Sequence, residues 1–198
     1  MRLRHVLLIA AFAVALAACD EQRDVAEGPA PREPTRESIG HYCGMSLVEH
    51  DGPKGQIFLE GKSEPIWFSS VRDTLAFTLL PEEPKSFAAI YVNDMAKAET
   101  WTQPEAGAWV EARSAVFVVG SDARGGMGAP EAVPFSEREA AERFKAEHGG
   151  LIHAFDQIPE DFILGPGEAQ NDREDAEPAS TAQGKEPAHD SHKAKSND

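Results

Sequence analysis

The chain has 198 residues and a formal charge of −15, from 19 basic and 34 acidic side chains. So acidic a composition excludes a nucleic-acid-binding protein, because a basic face supplies most of the affinity of such proteins. Only 2 cysteines are present, which excludes a scaffold held by several disulfides and a zinc site of four thiolates. The hydrophobic fraction of 41% indicates that part of the chain lies outside a packed domain.

The first residues, 1–18, are typical of a bacterial lipoprotein signal peptide. Two arginines precede an apolar run over residues 6–16 that is too short to cross a bilayer. The run ends in the letters LAAC, which resemble a lipobox, so we expect cleavage before Cys19 and lipidation of its thiol. The alternative is an ordinary signal peptide with an incidental cysteine. A lipidated Cys19 would anchor the mature chain to the periplasmic face of a bacterial membrane, inner or outer.

Composition divides the mature chain into a folded part between two polar segments. Residues 19–37 are rich in Pro, Glu, Arg and Ala, which predicts a lipidated, flexible tether. Residues 167–198 predict a disordered acidic tail. The segment between them contains every Trp and Tyr and nearly every Phe. We expect it to comprise two half-domains, at 38–100 and 101–166.

The two halves share a weak internal repeat with an offset of 67 residues, in which Phe68, Ser69 and Phe77 recur as Phe135, Ser136 and Phe144. In each half a serine with an acidic residue three positions later predicts a helix start, at Ser70 and at Ser136, and a Gly-Gly pair at 149–150 predicts the end of the second helix. Apolar runs predict strands at 56–60, 65–68, 88–92, 115–119 and 151–155. The pattern predicts an α+β fold of two homologous ββαβ half-domains.

The residues best suited to chemistry lie in the sequence HYCGM at 41–45. Cys43 and Met45 are two positions apart, so in an extended stretch their side chains project to one side. A thiolate and a thioether form a soft ligand set, which favours Cu(I) over Mg²⁺ or Ca²⁺. If Cys19 is lipidated, Cys43 is an unpaired thiol in an oxidising compartment. The alternative is an inert, buried cysteine beside a gap-filling methionine.

Further side chains could complete such a site. Met127 lies in the loop GGMG at 125–128, where a methionine has little packing reason to be, and presentation of a thioether is one explanation. If the halves face each other across a pseudo-two-fold axis, Met127 could converge with Cys43 and Met45. His41 could add a nitrogen ligand, although such histidines are more often solvated. His50 and His148, beside loop or helix-end signals, and His153, in a strand-like run, are weaker candidates. Motifs of disulfide oxidoreductases, haem proteins, zinc proteases, P-loop proteins and serine hydrolases are absent from the sequence.

In these features taken together, the sequence resembles the NosL family, the copper-binding lipoproteins of nitrous oxide reductase assembly. The resemblance depends on an ordered set of motifs: the lipobox at Cys19, CGM at 43–45, YVND at 91–94, the strand region 109–120, GMG at 126–128 before VPF at 133–135, and GG at 149–150. It implies two half-domains similar to part of organomercurial lyase.

The resemblance implies a Cu(I)-binding metallochaperone, not an enzyme, with the metal on Cys43, Met45 and Met127. It further implies delivery to the periplasmic nitrous oxide reductase through a membrane-associated ABC-type maturation transporter, and the acidic surface could orient a basic face of the partner. The family loop commonly reads Pro-Met-Gly, whereas Gly126 precedes Met127 here. Two rival functions stay open: a metal-free periplasmic scaffold lipoprotein with Cys43 buried, and an organomercurial-lyase-like enzyme, which a single free thiol disfavours.

Overall fold

Two antiparallel sheets make up the strand structure of the computed structural model, which describes residues 28–102, 104 and 106–165. The first sheet has the order β2-β1-β3-β4 and contains β1 (Gly55–Leu59), β2 (Ile66–Phe68), β3 (Phe87–Asn93) and β4 (Trp109–Glu111). The second has the order β6-β5-β7 and contains β5 (Val116–Val119), β6 (Val133–Phe135) and β7 (Leu151–Ala154). The helices are α1 (Val71–Leu79), α2 (Arg138–His148) and α3 (Glu160–Leu164), with short 3-10 helices at Leu47–Glu49, Ala112–Ser114 and Phe155–Gln157.

The two sheets repeat one arrangement. In the first, β1 lies between β2 and β3, and α1 connects β2 to β3 along the chain. In the second, β5 lies between β6 and β7, and α2 makes the equivalent connection. The strands of both sheets pair with one another in antiparallel fashion. The predicted α+β fold with two ββαβ units is confirmed.

The region 109–120, expected to be one strand, is two strands. The 3-10 helix Ala112–Ser114 separates them. The first, β4, pairs with β3 and extends the first sheet, and the second, β5, is the central strand of the other sheet. The interruption is where the chain passes from one sheet to the other. The half-domain boundaries at 38–100 and 101–166 stay predictions, and β4 pairs with the first sheet although its residues fall in the second range.

Strand β5 joins the two parts of the hydrophobic core. Phe117 and Val119 pack in a cluster with buried side chains of β1, β3 and α1, whereas Val118 packs with those of β6 and α2. Successive side chains of a strand point to opposite faces, which explains the division. Burial of each large apolar side chain contributes about 1.5–3 kcal/mol, so the shared cluster holds both sheets in one compact unit.

The two predicted helix starts differ in outcome. The Ser70 side-chain oxygen accepts a hydrogen bond from the Asp73 backbone N–H at 3.0 Å, as the capping pattern predicts. The prediction at Ser136 is wrong, because α2 begins one residue later, after Glu137, and makes no side-chain cap there. Instead, the Ser136 backbone N–H donates to Oδ1 of Asp94, at the end of β3, at 2.9 Å. Helix α2 ends, as predicted, at Gly149, with φ of 74°.

Part of the predicted tether (19–37) contacts the first sheet. The Arg32 backbone N–H donates to Oε1 of the buried Gln56 at 2.8 Å, and Gln56 Nε2 donates to the Arg32 carbonyl at 2.9 Å. Nearby, Glu33 Oε1 accepts a hydrogen bond from Trp109 Nε1 at 3.0 Å. The polar composition of the segment does not reveal these contacts.

Several sequence predictions lie outside the described residues. They are the signal peptide at 1–18, the lipidation of Cys19 and the acidic tail at 167–198. In the part of the chain that the structure does describe, every helix is too short or too polar to cross a membrane.

Candidate metal site

The Cys43 motif forms a tight turn, not the extended stretch assumed from its spacing. The Gly40 N–H donates to the Met45 carbonyl at 2.9 Å, and the Gly44 N–H donates to the Gly40 carbonyl at 2.9 Å. Gly44 has φ of 67°, in the left-handed region that favours glycine. The half-buried Cys43 sulfur lies 3.9 Å from the Gly40 carbonyl oxygen and 4.0 Å from that of Met45.

The His50 ring lies beside the thiol. The 3-10 helix Leu47–Glu49 leads from the turn to His50, whose Nε2 lies 3.8 Å from Cys43 Sγ. The other ring nitrogen, Nδ1, lies 3.1 Å from the carbonyl oxygen of Gly126. Because a carbonyl only accepts, Nδ1 carries the proton, and the lone pair of the neutral ring is on Nε2, facing the sulfur. His50 is only 6% exposed.

The loop that carries Met127 packs against the same histidine. The Gly128 N–H donates to the Gly125 carbonyl at 2.8 Å, which closes a turn around Met127. A Cβ atom on Gly126 would lie only 2.6 Å from the His50 Cβ. The loop therefore approaches His50 at a distance that only glycine allows.

Two exposed methionines belong to the chain segments whose backbone contacts the thiol and the imidazole. Met45 is 41% exposed and its carbonyl contacts the Cys43 sulfur, while Met127 is 54% exposed and follows the residue that binds His50 Nδ1. The described residues contain no cluster of three or more His, Cys, Asp or Glu that could hold a metal ion. A metal bound here would therefore depend on thioether sulfur in addition to Cys43 and His50.

His41, the nitrogen ligand considered from the sequence, is directed elsewhere. Its Nε2 lies 3.3 Å from Glu83 Oε1, and its ring packs edge-on against Phe68 and Phe77. The Tyr42 hydroxyl donates to the same Glu83 oxygen at 3.0 Å. Burial and this contact with Glu83 raise the pKa of Tyr42, so the phenol stays protonated. His50, not His41, places a ring nitrogen next to Cys43.

A cavity of about 250 Å³ borders His50 and is also lined by Lys54, Asn93 and Trp109. The Lys54 ammonium is buried and donates to the Gly52 carbonyl at 2.5 Å. Burial lowers the pKa of Lys54 to about 8, although the charges of Asp51 and Glu131 oppose the shift. A charged Lys54 repels a second cation, so the Cys43 side of His50 is the more favourable position for a metal ion.

A thiol, an imidazole and two exposed thioethers on a two-sheet α+β scaffold define a protein suited to a soft metal ion. Comparison with known proteins identifies the family. The family model described as NosL matches residues 31–163. The chain belongs to the NosL family.

Three relatives show how close the similarity is. The chain is 51% identical over 168 residues to the copper-binding lipoprotein NosL of Achromobacter cycloclastes, covering 84% of this chain and 86% of that protein. It is 32% identical over 157 residues to the copper-binding lipoprotein NosL of Stutzerimonas stutzeri, covering 79% and 80%. The crystal structure of the copper chaperone NosL from Shewanella denitrificans matches with a TM-score of 0.63 at 33% identity, over 67% of this chain and 97% of that one. These names describe binding proteins and a chaperone, in agreement with the prediction that the chain is not an enzyme.

Proposed function

We propose that the protein is a lipid-anchored metallochaperone that binds Cu(I) through Cys43 and His50, with Met45 and Met127 as thioether ligands. The observation that carries the proposal is the 3.8 Å approach of Cys43 Sγ to His50 Nε2, between two Gly-Met loops. The names of the relatives, copper-binding lipoprotein and copper chaperone, support copper as the metal.

The donor set favours Cu(I) over the other common metal ions. Thiolate and thioether sulfur are soft ligands and imidazole is intermediate, a combination that suits Cu(I) and disfavours Mg²⁺ and Ca²⁺. Cys43 must lose its proton to bind, whereas the lone pair of His50 Nε2 already faces the thiol. The hydrogen bond from Nδ1 to Gly126 fixes the orientation of the ring, as carbonyl partners of metal-binding histidines commonly do.

The exposure of the site suits a cargo that must be released. Met45 and Met127 reach solvent, so a partner can approach the metal from outside without opening the fold. Thioethers are weak donors, and a copper ion held partly by them can pass to a site richer in strong ligands. We therefore treat copper as the cargo of this protein and not as its resident cofactor.

The surface around the site supports a protein partner. Of the seven exposed large apolar side chains in the described part of the chain, five are in or beside the two loops: Ile39, Tyr42, Met45, Val48 and Met127. Exposed apolar side chains on neighbouring loops favour a contact surface, and the charge of −15 favours a basic partner. We propose that the partners are nitrous oxide reductase and its membrane-associated ABC-type maturation transporter, at the periplasmic face of the membrane to which Cys19 anchors the chain.

A titration with Cu(I) tests the proposal. The reduced mature chain, kept soluble in detergent, is titrated in competition with a chromophoric Cu(I) chelator, alongside Cys43→Ser. We expect wild type to bind one Cu(I) per chain and the variant to lose that binding. Equal stoichiometry and affinity in the two proteins would contradict the proposal and favour the metal-free scaffold. Delivery is tested separately, by transfer of copper from the loaded protein to metal-free nitrous oxide reductase.

A further inference from the structure

Glu131 is a fully buried acidic residue that links the second half of the protein to the first. It is 1% exposed. Its Oε1 accepts hydrogen bonds from the backbone N–H groups of Arg72 and Ala132, both at 2.9 Å, and its Oε2 accepts one from Val71 at 3.3 Å. Val71 and Arg72 are the first residues of α1, whose N–H groups have no partner within the helix. The side chain therefore binds the start of a helix in the other half-domain.

The same residue closes the base of the Met127 loop, which we define as residues 123–131. The Glu131 N–H donates to the Ala123 carbonyl at 3.3 Å, and Arg124 and Pro130 form an antiparallel bridge. Within the loop, Gly125 packs directly on the Glu131 carboxylate, where a Cβ atom would overlap Oε2. Glu131 thus holds the loop by both its backbone and its side chain.

The start of α1 also contacts the turn that carries Cys43. A Cβ atom on Gly40 would lie 2.5 Å from Cys43 Sγ and 3.7 Å from the Ser69 Cβ, and one on Gly125 would lie 3.3 Å from the Ser70 Cβ. The segment 69–70 therefore lies between the Cys43 turn and the Met127 loop. Both parts of the candidate metal site are placed relative to the same helix start, and Glu131 attaches the loop to it.

Asp94 offers a matched comparison. It is a second buried carboxylate, and it accepts hydrogen bonds from the backbone N–H groups of Ser136 and Ala96 at 2.9 and 3.1 Å. It therefore stabilises the chain just before α2 in the way that Glu131 stabilises the start of α1. Its hydrogen bonds go to residues outside the Met127 loop.

We infer that Glu131 is a positioning residue, which sets the Cu(I) affinity of the site by holding the Met127 loop against His50. The inference depends on the proposed function for its consequence in copper binding. The reason is geometric. Without the carboxylate, the helix N–H groups and the base of the loop lose their common acceptor, and the distance between Met127 and the thiol–imidazole pair is no longer fixed.

The copper test compares Glu131→Leu with Asp94→Leu, since each replaces a buried carboxylate by an apolar side chain of similar size. We expect Glu131→Leu to weaken Cu(I) binding by about tenfold or more, as loss of an outer-shell contact commonly does. Asp94→Leu should stay within about threefold of wild type, because any cost to stability falls away from the loop. Equal Cu(I) affinity in wild type and Glu131→Leu would overturn the inference.

A double-variant cycle shows whether Glu131 acts through the methionine. In a Met127→Leu background, Glu131→Leu should add less than about a threefold loss of Cu(I) affinity, since the group that it positions is already absent. A full additional loss would show that Glu131 affects the site by another route and would overturn the inference.

Hydrogen exchange of the metal-free protein separates this inference from the proposed function. The Gly125 and Gly128 amides, which are hydrogen-bonded within the loop, should exchange faster in Glu131→Leu and unchanged in Asp94→Leu. If Glu131→Leu does not fold, Glu131→Gln takes its place, because glutamine keeps one acceptor oxygen. This variant should show smaller changes in amide exchange and in Cu(I) affinity. A Glu131→Gln protein in which neither quantity changes would overturn the inference. A wild-type chain that binds no copper would refute the proposed function, while the exchange data would still decide whether Glu131 holds the loop.

Discussion

His50 faces Cys43 across 3.8 Å, ring nitrogen to sulfur, and the opposite nitrogen of the same ring is held by the Gly126 carbonyl. The cysteine and the histidine belong to the first half of the protein, and the carbonyl belongs to the second. The candidate metal site is therefore assembled between the halves, although its two strongest donors are only seven positions apart.

The role of His50 is tested by His50→Asn. The Asn amide can still donate to the Gly126 carbonyl from near the Nδ1 position, but it has no atom at Nε2. We expect Cu(I) affinity to fall by about tenfold or more, since one donor beside the thiolate is lost. His41→Asn is the control and should change the affinity by less than about twofold, because the His41 ring faces Glu83. The reverse order in a chelator competition would assign the nitrogen ligand to His41.

The close approach of the Met127 loop is tested by Gly126→Ala. The added methyl group would lie 2.6 Å from the His50 Cβ and 3.1 Å from the Asp51 carbonyl oxygen, so the loop must move away. We expect a loss of about 1–3 kcal/mol in the free energy of unfolding, together with weaker Cu(I) binding.

Gly61→Ala is the matched control for that substitution. Gly61 has φ of 71° and open space around the missing Cβ, so alanine should cost about 1 kcal/mol of stability through backbone strain alone. Its Cu(I) affinity should equal that of wild type. A Gly126→Ala protein that also binds copper like wild type would show that the contact between loop and histidine does not matter for the metal.

The stability of the protein should fall as pH rises, because of Glu131. Burial raises the pKa of Glu131 from 4.5 to about 8, even though the N–H groups of Arg72, Ala132 and Val71 lower it in part. The folded state therefore holds a proton that the unfolded state releases above about pH 4.5. The contribution of Glu131 to the free energy of unfolding is therefore complete below about pH 4.5 and is lost by about pH 8. The shift in pKa limits this contribution to roughly 5 kcal/mol.

Urea denaturation of wild type and Glu131→Gln between pH 5 and 8 measures this effect. The glutamine cannot titrate, so the free energy of unfolding of wild type minus that of the variant should decrease steadily as pH rises. Lys54 and Asp73 are common to both proteins, so the subtraction removes most of their influence. A difference that is constant, or that increases with pH, would contradict the raised pKa.

The two serines at the predicted helix starts should differ in their effect on stability. Ser70→Ala removes the hydrogen bond that the Asp73 N–H donates and should cost about 1 kcal/mol. Ser136→Ala should cost less, because α2 has no side-chain cap there. The Ser136 side chain bonds to Asp94, and after its removal the backbone N–H still donates to the same carboxylate. Equal losses in thermal or urea denaturation would restore the symmetric capping that the sequence repeat predicts.

The architecture was predictable because local signals and tertiary packing agree in most elements. Apolar runs such as 56–60 and 115–119 become the central strands of the two sheets, and the Gly-Gly pair at 149–150 ends α2. Predictions from local sequence were wrong where a residue far along the chain binds or pairs with the same backbone. Asp94 binds the backbone just before α2, and pairing with β3 places β4 in the first sheet.

The candidate site was predictable only in part. Cys43, Met45 and Met127 stand out because sulfur beside glycine has no obvious packing role. His50 does not stand out, because its orientation depends on a carbonyl 76 positions further along the chain and on the turn that brings Cys43 to it. A histidine seven positions after the cysteine, with glycine and proline following at 52–53, was the available signal. This pattern does not by itself indicate a ligand, and only the contact between His50 and Cys43 in the structure identifies a candidate.

X-ray absorption at the copper edge of the Cu(I)-loaded protein tests the central claim most directly. We predict a coordination shell that contains sulfur and one imidazole nitrogen, with the imidazole lost in His50→Asn and the sulfur contribution reduced in Cys43→Ser. Spectra that are the same in wild type and in both variants would contradict a site built on this thiol and this ring.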